Sequence, residues 1–168
     1  AAFCVPPSMY APISTRYLGR WMFLTFQTNV ICAVYFFICS VSALVDSSLL
    51  DDLVVRFFPL AFGLGVFLTL AYYGLDHFNP DNVAQRKYWE ENGFPFVHIG
   101  AHSEHCFALP ASLLHAWTLD AEKAAAVLPN SVYTSYTAVV LGYMLFYLAQ
   151  THANKAATGL WVYPIIDD

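Results

Sequence analysis

The run WMFLTFQTNVICAVYFFICSVSALV, from Trp21 to Val45, constrains the fold more than any other feature of this chain. It contains no Asp, Glu, Lys or Arg, and it exceeds the roughly 20 apolar residues that carry a helix across a bilayer. Its apolar residues follow one another without the alternation of a half-buried strand. In hydrocarbon, a segment of this kind satisfies its backbone polar groups only by bonding to itself, as a helix does. Three further runs are long and largely apolar: FFPLAFGLGVFLTLAYYGL from Phe57 to Leu75, the segment from Phe94 to Trp117, and VYTSYTAVVLGYMLFYLAQT from Val132 to Thr151. The expected fold is all-α, a polytopic transmembrane helical bundle of about four spans near residues 21–45, 57–75, 94–117 and 132–151.

Composition agrees with that reading. Of the 168 residues, 58% are hydrophobic and 11% charged, where soluble domains carry about a quarter charged residues. The length suits one core. The chain therefore divides into a surface or interfacial segment over 1–20 and a single transmembrane helical domain over 21–168. The net charge of −5 is spread over loops and ends, with no basic patch to hold nucleic acid. Cys4, Cys32, Cys39 and Cys106 show no CxxC spacing, and three of them lie in apolar runs. They read as free buried thiols rather than a disulfide framework or a zinc site. The opening AAF reads as a processed or trimmed end.

Charge and aromatic placement predict an orientation. Phe57, Phe58, Tyr72, Tyr73, Trp89, Trp117, Tyr133 and Trp161 stand near the proposed span ends, where aromatic belts form. Arg16, Arg20, Arg86, Lys87 and Lys155 share one side, with Arg56 and Lys123 on the other. The positive-inside rule then places the N-terminal side in the cytoplasm or an equivalent matrix or stroma. The expected location is a multi-pass position in an endomembrane or an organelle inner membrane. The stretch DHFNPDNVAQRKYWEENG reads as a polar connector, TLDAEKAAAVLPNS as a helix-prone linker stopped by Pro129, and TGLWVYPIIDD as an interfacial turn.

The chemistry lies in two polar lines. In VHIGAHSEHCFALP, His98, His102 and His105 follow an i, i+4, i+7 spacing that aligns them on one helical face. Glu104 is the one formally charged side chain in the four runs and falls about 100° around the helix from His105. A carboxyl inside a span requires a partner, water or a proton. In the first run, Thr25, Asn29 and Cys32 repeat the spacing, with Thr28 beside them, so this stripe should face protein rather than lipid. An imidazole at the depth of Thr25 could activate its hydroxyl toward an ester. Against this stands the ordinary behaviour of such residues: an intramembrane Thr bonds its own helix, and a bundle His is satisfied by a neighbour. Gly63 and Gly65 read as sites of close helix approach.

These residues resemble a known family, the androgen-induced-gene family of membrane threonine hydrolases, which cleave fatty-acid esters of hydroxy fatty acids. The resemblance rests on three blocks in order. RWMFLTFQTNVICAVYFFIC is similar to the family's W-x-FLTF segment and the helix after it, HSEHCFALP to its H-x-x-H-x-x-x-LP pattern, and LGY with TGLWVYP to its GY…TG-x-WVYP ending. The resemblance implies that Thr25 is the nucleophile and His105 the catalytic base, with no cofactor. It implies a fatty-acyl ester as substrate and the lipid bilayer as surroundings. Asn29, His98, His102 and Glu104 are the supporting polar residues, Asn29 being the candidate oxyanion donor. The family has six spans where four are visible here, its histidines are separated by less acidic residues than Ser103-Glu104, and its ending is about four residues shorter.

Two other readings compete. A reduced helix set suits a catalytically silent subunit that packs with other membrane subunits in a larger complex. The His98–His102–His105 face, with His152 or Glu104, suits an intramembrane metal or haem site, although i, i+7 spans about 10 Å, long for one ion. No metal ligand set is assigned.

Overall fold

Why the chain bends where it does is best seen at its prolines and glycines. The computed structural model describes residues 17–119 and 132–163, and among them helix is the only regular structure. A 3-10 turn at Gly19–Met22 leads into α1 (Leu24–Leu44), and α2 (Ser48–Ala71) continues into a π-helical turn at Tyr72–Asp76. Next come α3 (Pro80–Glu91), α4 (Val97–Cys106), α5 (Ala108–Thr118) and α6 (Val132–Thr158). The expected segments over 1–16, 120–131 and 164–168 lie outside the described residues, as do Cys4, Arg16, Lys123 and Pro129.

Among the described residues, two helices are long and apolar enough to cross a bilayer: Leu24–Leu44 with 21 residues, and the continuous Ser48–Asp76 with 29. They form an antiparallel pair around a small core. Tyr35 Oη donates to the Val54 carbonyl at 3.2 Å, while Cys32 Sγ lies 3.8 Å from the Ala61 carbonyl, so contacts move up α2 as they move down α1. Cys32, Tyr35, Val54, Ala61 and Ala108 make up this core, with Phe36, Ile38, Cys39, Phe58 and Leu119 packed around it. Phe37, Phe67 and Leu70 point outward, as lipid-facing side chains do.

The segment expected to run unbroken over 94–117 divides at Phe107 into α4 and α5, of 10 and 11 residues. Pro110 explains the break. It lacks the N–H that would bond the Cys106 carbonyl, and its ring crowds that same oxygen. The break also meets α2 closely, because a Cβ on Gly65 would come within 3.1 Å of the Ala108 backbone carbon. Gly65 is thus the close-approach glycine, whereas Gly63 has nothing within 4 Å of the corresponding position.

The connector after α2 holds a helix of its own. Asn79 caps α3 by accepting from the Asp81 and Asn82 amides, and Pro80 occupies the first position, where no N–H is needed. The buried Arg86 ties α3 to the π turn, donating from Nη1 to Asp76 Oδ2 at 2.8 Å and from Nη2 to the His77 carbonyl at 2.6 Å.

The far helix α6 is 27 residues long and passes the expected end at Thr151. It is keyed to the start of α1 by partly buried polar contacts. Gln27 donates to the Trp21 carbonyl at 2.6 Å and to Gln150 Oε1 at 2.7 Å, and accepts from Tyr143 Oη at 3.1 Å. Tyr147 Oη reaches the Met22 carbonyl, and Tyr163 Oη accepts from the Leu24 amide at 3.1 Å.

Candidate functional site

Thr25 stands in the first turn of α1, two residues after the extended residue Phe23. The first amides of any helix have no carbonyl a turn earlier to receive them. The Leu24 amide is taken by Tyr163, while the adjoining amides of Thr25 and Phe26 precede the first backbone bond of the helix, from Gln27 N to the Phe23 carbonyl. The positive end of the helix dipole gathers at this point.

His105 occupies the last turn of α4, just before the break. The break strips the final carbonyls of α4 of their ordinary partners, and side chains from the two long helices replace them. Asn29 Nδ2 donates to the Glu104 carbonyl at 2.9 Å, and Thr69 Oγ1 to the His105 carbonyl at 2.8 Å. Each such bond spares a polar group a cost of about 1–3 kcal/mol. Together they fix the end of α4 between α1 and α2, opposite Thr25.

The resulting pair is close. Thr25 Oγ1 lies 3.3 Å from His105 Nε2. The other ring nitrogen, Nδ1, lies 2.7 Å from the Ala101 carbonyl, one turn back on the same helix. A carbonyl only accepts, so Nδ1 carries the proton of the neutral ring and Nε2 presents its lone pair to the hydroxyl. Tyr72 covers one face of the imidazole, with ring centroids 4.3 Å apart and planes 12° from parallel. Glu104 does not orient His105. It pairs with Arg20 of the 3-10 turn at 3.3 Å, both side chains about a third exposed. The carboxyl therefore sits at the Arg20 end of the helix pair with a cationic partner, which answers the cost of placing it in the run.

The three histidines of α4 have separate neighbours. His98 Nε2 is 3.5 Å from Glu90 of α3. His102 Nδ1 is 3.1 Å from Tyr73 Oη, and its ring lies 4.9 Å from that of His77. Only His105 reaches α1. Among the described residues no group of three or more His, Cys, Asp and Glu side chains is placed to hold a metal ion. Asn29, the candidate oxyanion donor, directs its amide to the Glu104 carbonyl instead. Thr28 is fully buried, and its hydroxyl has no hydrogen-bond partner.

Sequence reasoning did not find Thr69, Tyr72 or Arg20. Tyr72 was legible only as a span-end aromatic, and Thr69 lies 36 residues from the carbonyl it serves. The proline at 110 was a signal for the break, and through it for the need of external partners.

A comparison with protein families matches residues 3–168 to the family described as FAR-17a/AIG1-like protein. No curated protein and no solved structure matches the chain.

Proposed function

Because the chain belongs to the FAR-17a/AIG1-like family, the androgen-induced-gene family its motifs resemble, we propose that it is a multi-pass membrane hydrolase of lipid esters. Its nucleophile is Thr25 and its base His105, and its substrates are fatty-acyl esters such as those of hydroxy fatty acids. The observation that supports this most is the approach of Thr25 Oγ1 to Nε2 of an imidazole whose Nδ1 is held by the Ala101 carbonyl.

The steps follow from that arrangement. Thr25 Oγ attacks the ester carbonyl carbon while Nε2 takes the hydroxyl proton. The tetrahedral intermediate collapses, the C–O bond to the leaving alcohol breaks, and the imidazolium returns the proton to that oxygen. A water then gives its proton to Nε2 and attacks the acyl-threonine. The acid is released, and Thr25 recovers its proton from the ring. The first-turn amides of Thr25 and Phe26 are the donors nearest in sequence to the nucleophile, and they serve the developing oxyanion in place of Asn29.

The test is turnover of a fatty-acyl ester by the purified chain in lipid nanodiscs. Thr25→Ala and His105→Ala are each expected to lower kcat/KM by about 10²–10⁴-fold, the usual worth of acid–base catalysis. The variants should elute as the wild type does on size exclusion. Wild-type turnover in either variant would overturn the proposal.

A further inference from the structure

The contact between Tyr72 and His105 differs from every other ring contact around the dyad. Tyr72 meets His105 face to face at 4.3 Å and 12°, but meets His102 edge-on at 5.7 Å and 81°. It is 3% exposed, so the stacked pair is sealed from solvent on the tyrosine side.

The backbone is built to hold this ring. Tyr72 begins the π-helical turn, whose wide bond runs from the His77 amide to the Tyr72 carbonyl at 2.7 Å. Such turns are frequent at functional sites. The tyrosine hydroxyl is engaged by His77 Nδ1 at 3.3 Å, and Arg86 clamps the turn from α3. The π turn and the Arg86 contacts thus fix the backbone of Tyr72, and its ring face is presented to the imidazole. His105 in turn is held at one edge by the Ala101 carbonyl and on one face by Tyr72.

We infer that Tyr72 is the positioning residue of His105, its ring face holding the imidazole in the plane that keeps Nε2 on the Thr25 hydroxyl. The same face attracts the imidazolium formed when the proton arrives, because aromatic rings draw cations to their faces. That second effect rests on the hydrolase reading, whereas the clamp does not.

The experiment compares wild type, Tyr72→Phe and Tyr72→Leu of the full chain in nanodiscs by two readouts. Two-bond nitrogen–proton spectra of ¹⁵N-histidine-labelled protein, with His105→Gln for assignment, report the His105 tautomer. Steady-state hydrolysis of a p-nitrophenyl acyl ester reports kcat and KM. Phenylalanine keeps the face and loses the hydroxyl, so a single Nδ1–H tautomer and kcat within threefold of wild type are expected. Leucine removes the face, so an averaged tautomer and a kcat at least tenfold lower are expected, with KM within twofold. If the leucine variant does not fold, Tyr72→Met, unbranched and adaptable, replaces it. An aliphatic variant with wild-type tautomer and kcat would overturn the inference, as would a phenylalanine variant as impaired as the aliphatic one. If the wild type hydrolyses nothing, the hydrolase reading fails, and the tautomer measurement alone still decides the clamp.

Discussion

His105 and His115 lie on the two halves of one broken arm, α4 and α5, and each reaches toward α1. His105 meets a hydroxyl, Thr25 Oγ1 at 3.3 Å, and His115 a thiol, Cys39 Sγ at 3.8 Å. On paper both are nucleophile–imidazole pairs. Their surroundings separate them. His105 has its Nδ1 bonded to a carbonyl, a ring stacked on its face, and the Arg20–Glu104 ion pair at its own end of the helix pair. His115 is enclosed by Tyr35, Phe36 and Phe58 at centroid distances of 5.6, 6.4 and 5.6 Å. On the proposed hydrolase reading, the contrast teaches that a fixed tautomer and the groups beside the ring distinguish a base more than the proximity of a nucleophile does.

The sharpest way to break the comparison is to remove each imidazole in turn. His105→Ala is expected to lower ester turnover by about 10²–10⁴-fold. His115→Ala should leave turnover within about threefold and show its effect in thermal melting, through the cavity left among the rings. Equal losses of turnover in the two variants would erase the distinction drawn between the pairs.

A smaller effect is expected where side chains serve the carbonyls at the end of α4. Asn29→Leu and Thr69→Val each leave one backbone oxygen without its partner, a cost of about 1–3 kcal/mol that melting in detergent micelles would read. Turnover should fall with them, because both bonds hold the turn that carries His105. Variants that melt as the wild type does would show that water or another group takes over the carbonyl.

The smallest effect belongs to the ion pair. Both partners are about a third exposed, so Glu104→Gln should change stability by less than about 1 kcal/mol, and by less again at high salt. A larger, salt-independent loss would mean that the carboxyl is held by more than Arg20.

Legibility in the sequence followed the range of the interaction. The apolar runs were enough for an all-helical fold, since lipid leaves few other ways to satisfy a backbone. Asn79 and Pro80 were enough to start α3, yet the polar composition of that stretch led to a connector being expected. The break at Phe107 was written in Pro110 and was overridden by the unbroken apolarity of Phe94–Trp117. Helical spacing put Thr25 and His105 in polar lines, and the resemblance to the family singled them out as a pair. The partners that make their meeting specific did not stand out, because no local pattern joins Arg20 to Glu104 across 84 residues or Tyr72 to His105 across a turn and a helix.

The most direct test of the central claim is to trap the nucleophile. The purified chain, treated with a lipid-like fluorophosphonate and digested, is expected to carry the adduct on the peptide containing Thr25, with labelling abolished in Thr25→Ala and at least tenfold slower in His105→Ala. An adduct on another residue, or one that forms on Thr25 as fast without the imidazole as with it, would contradict the account.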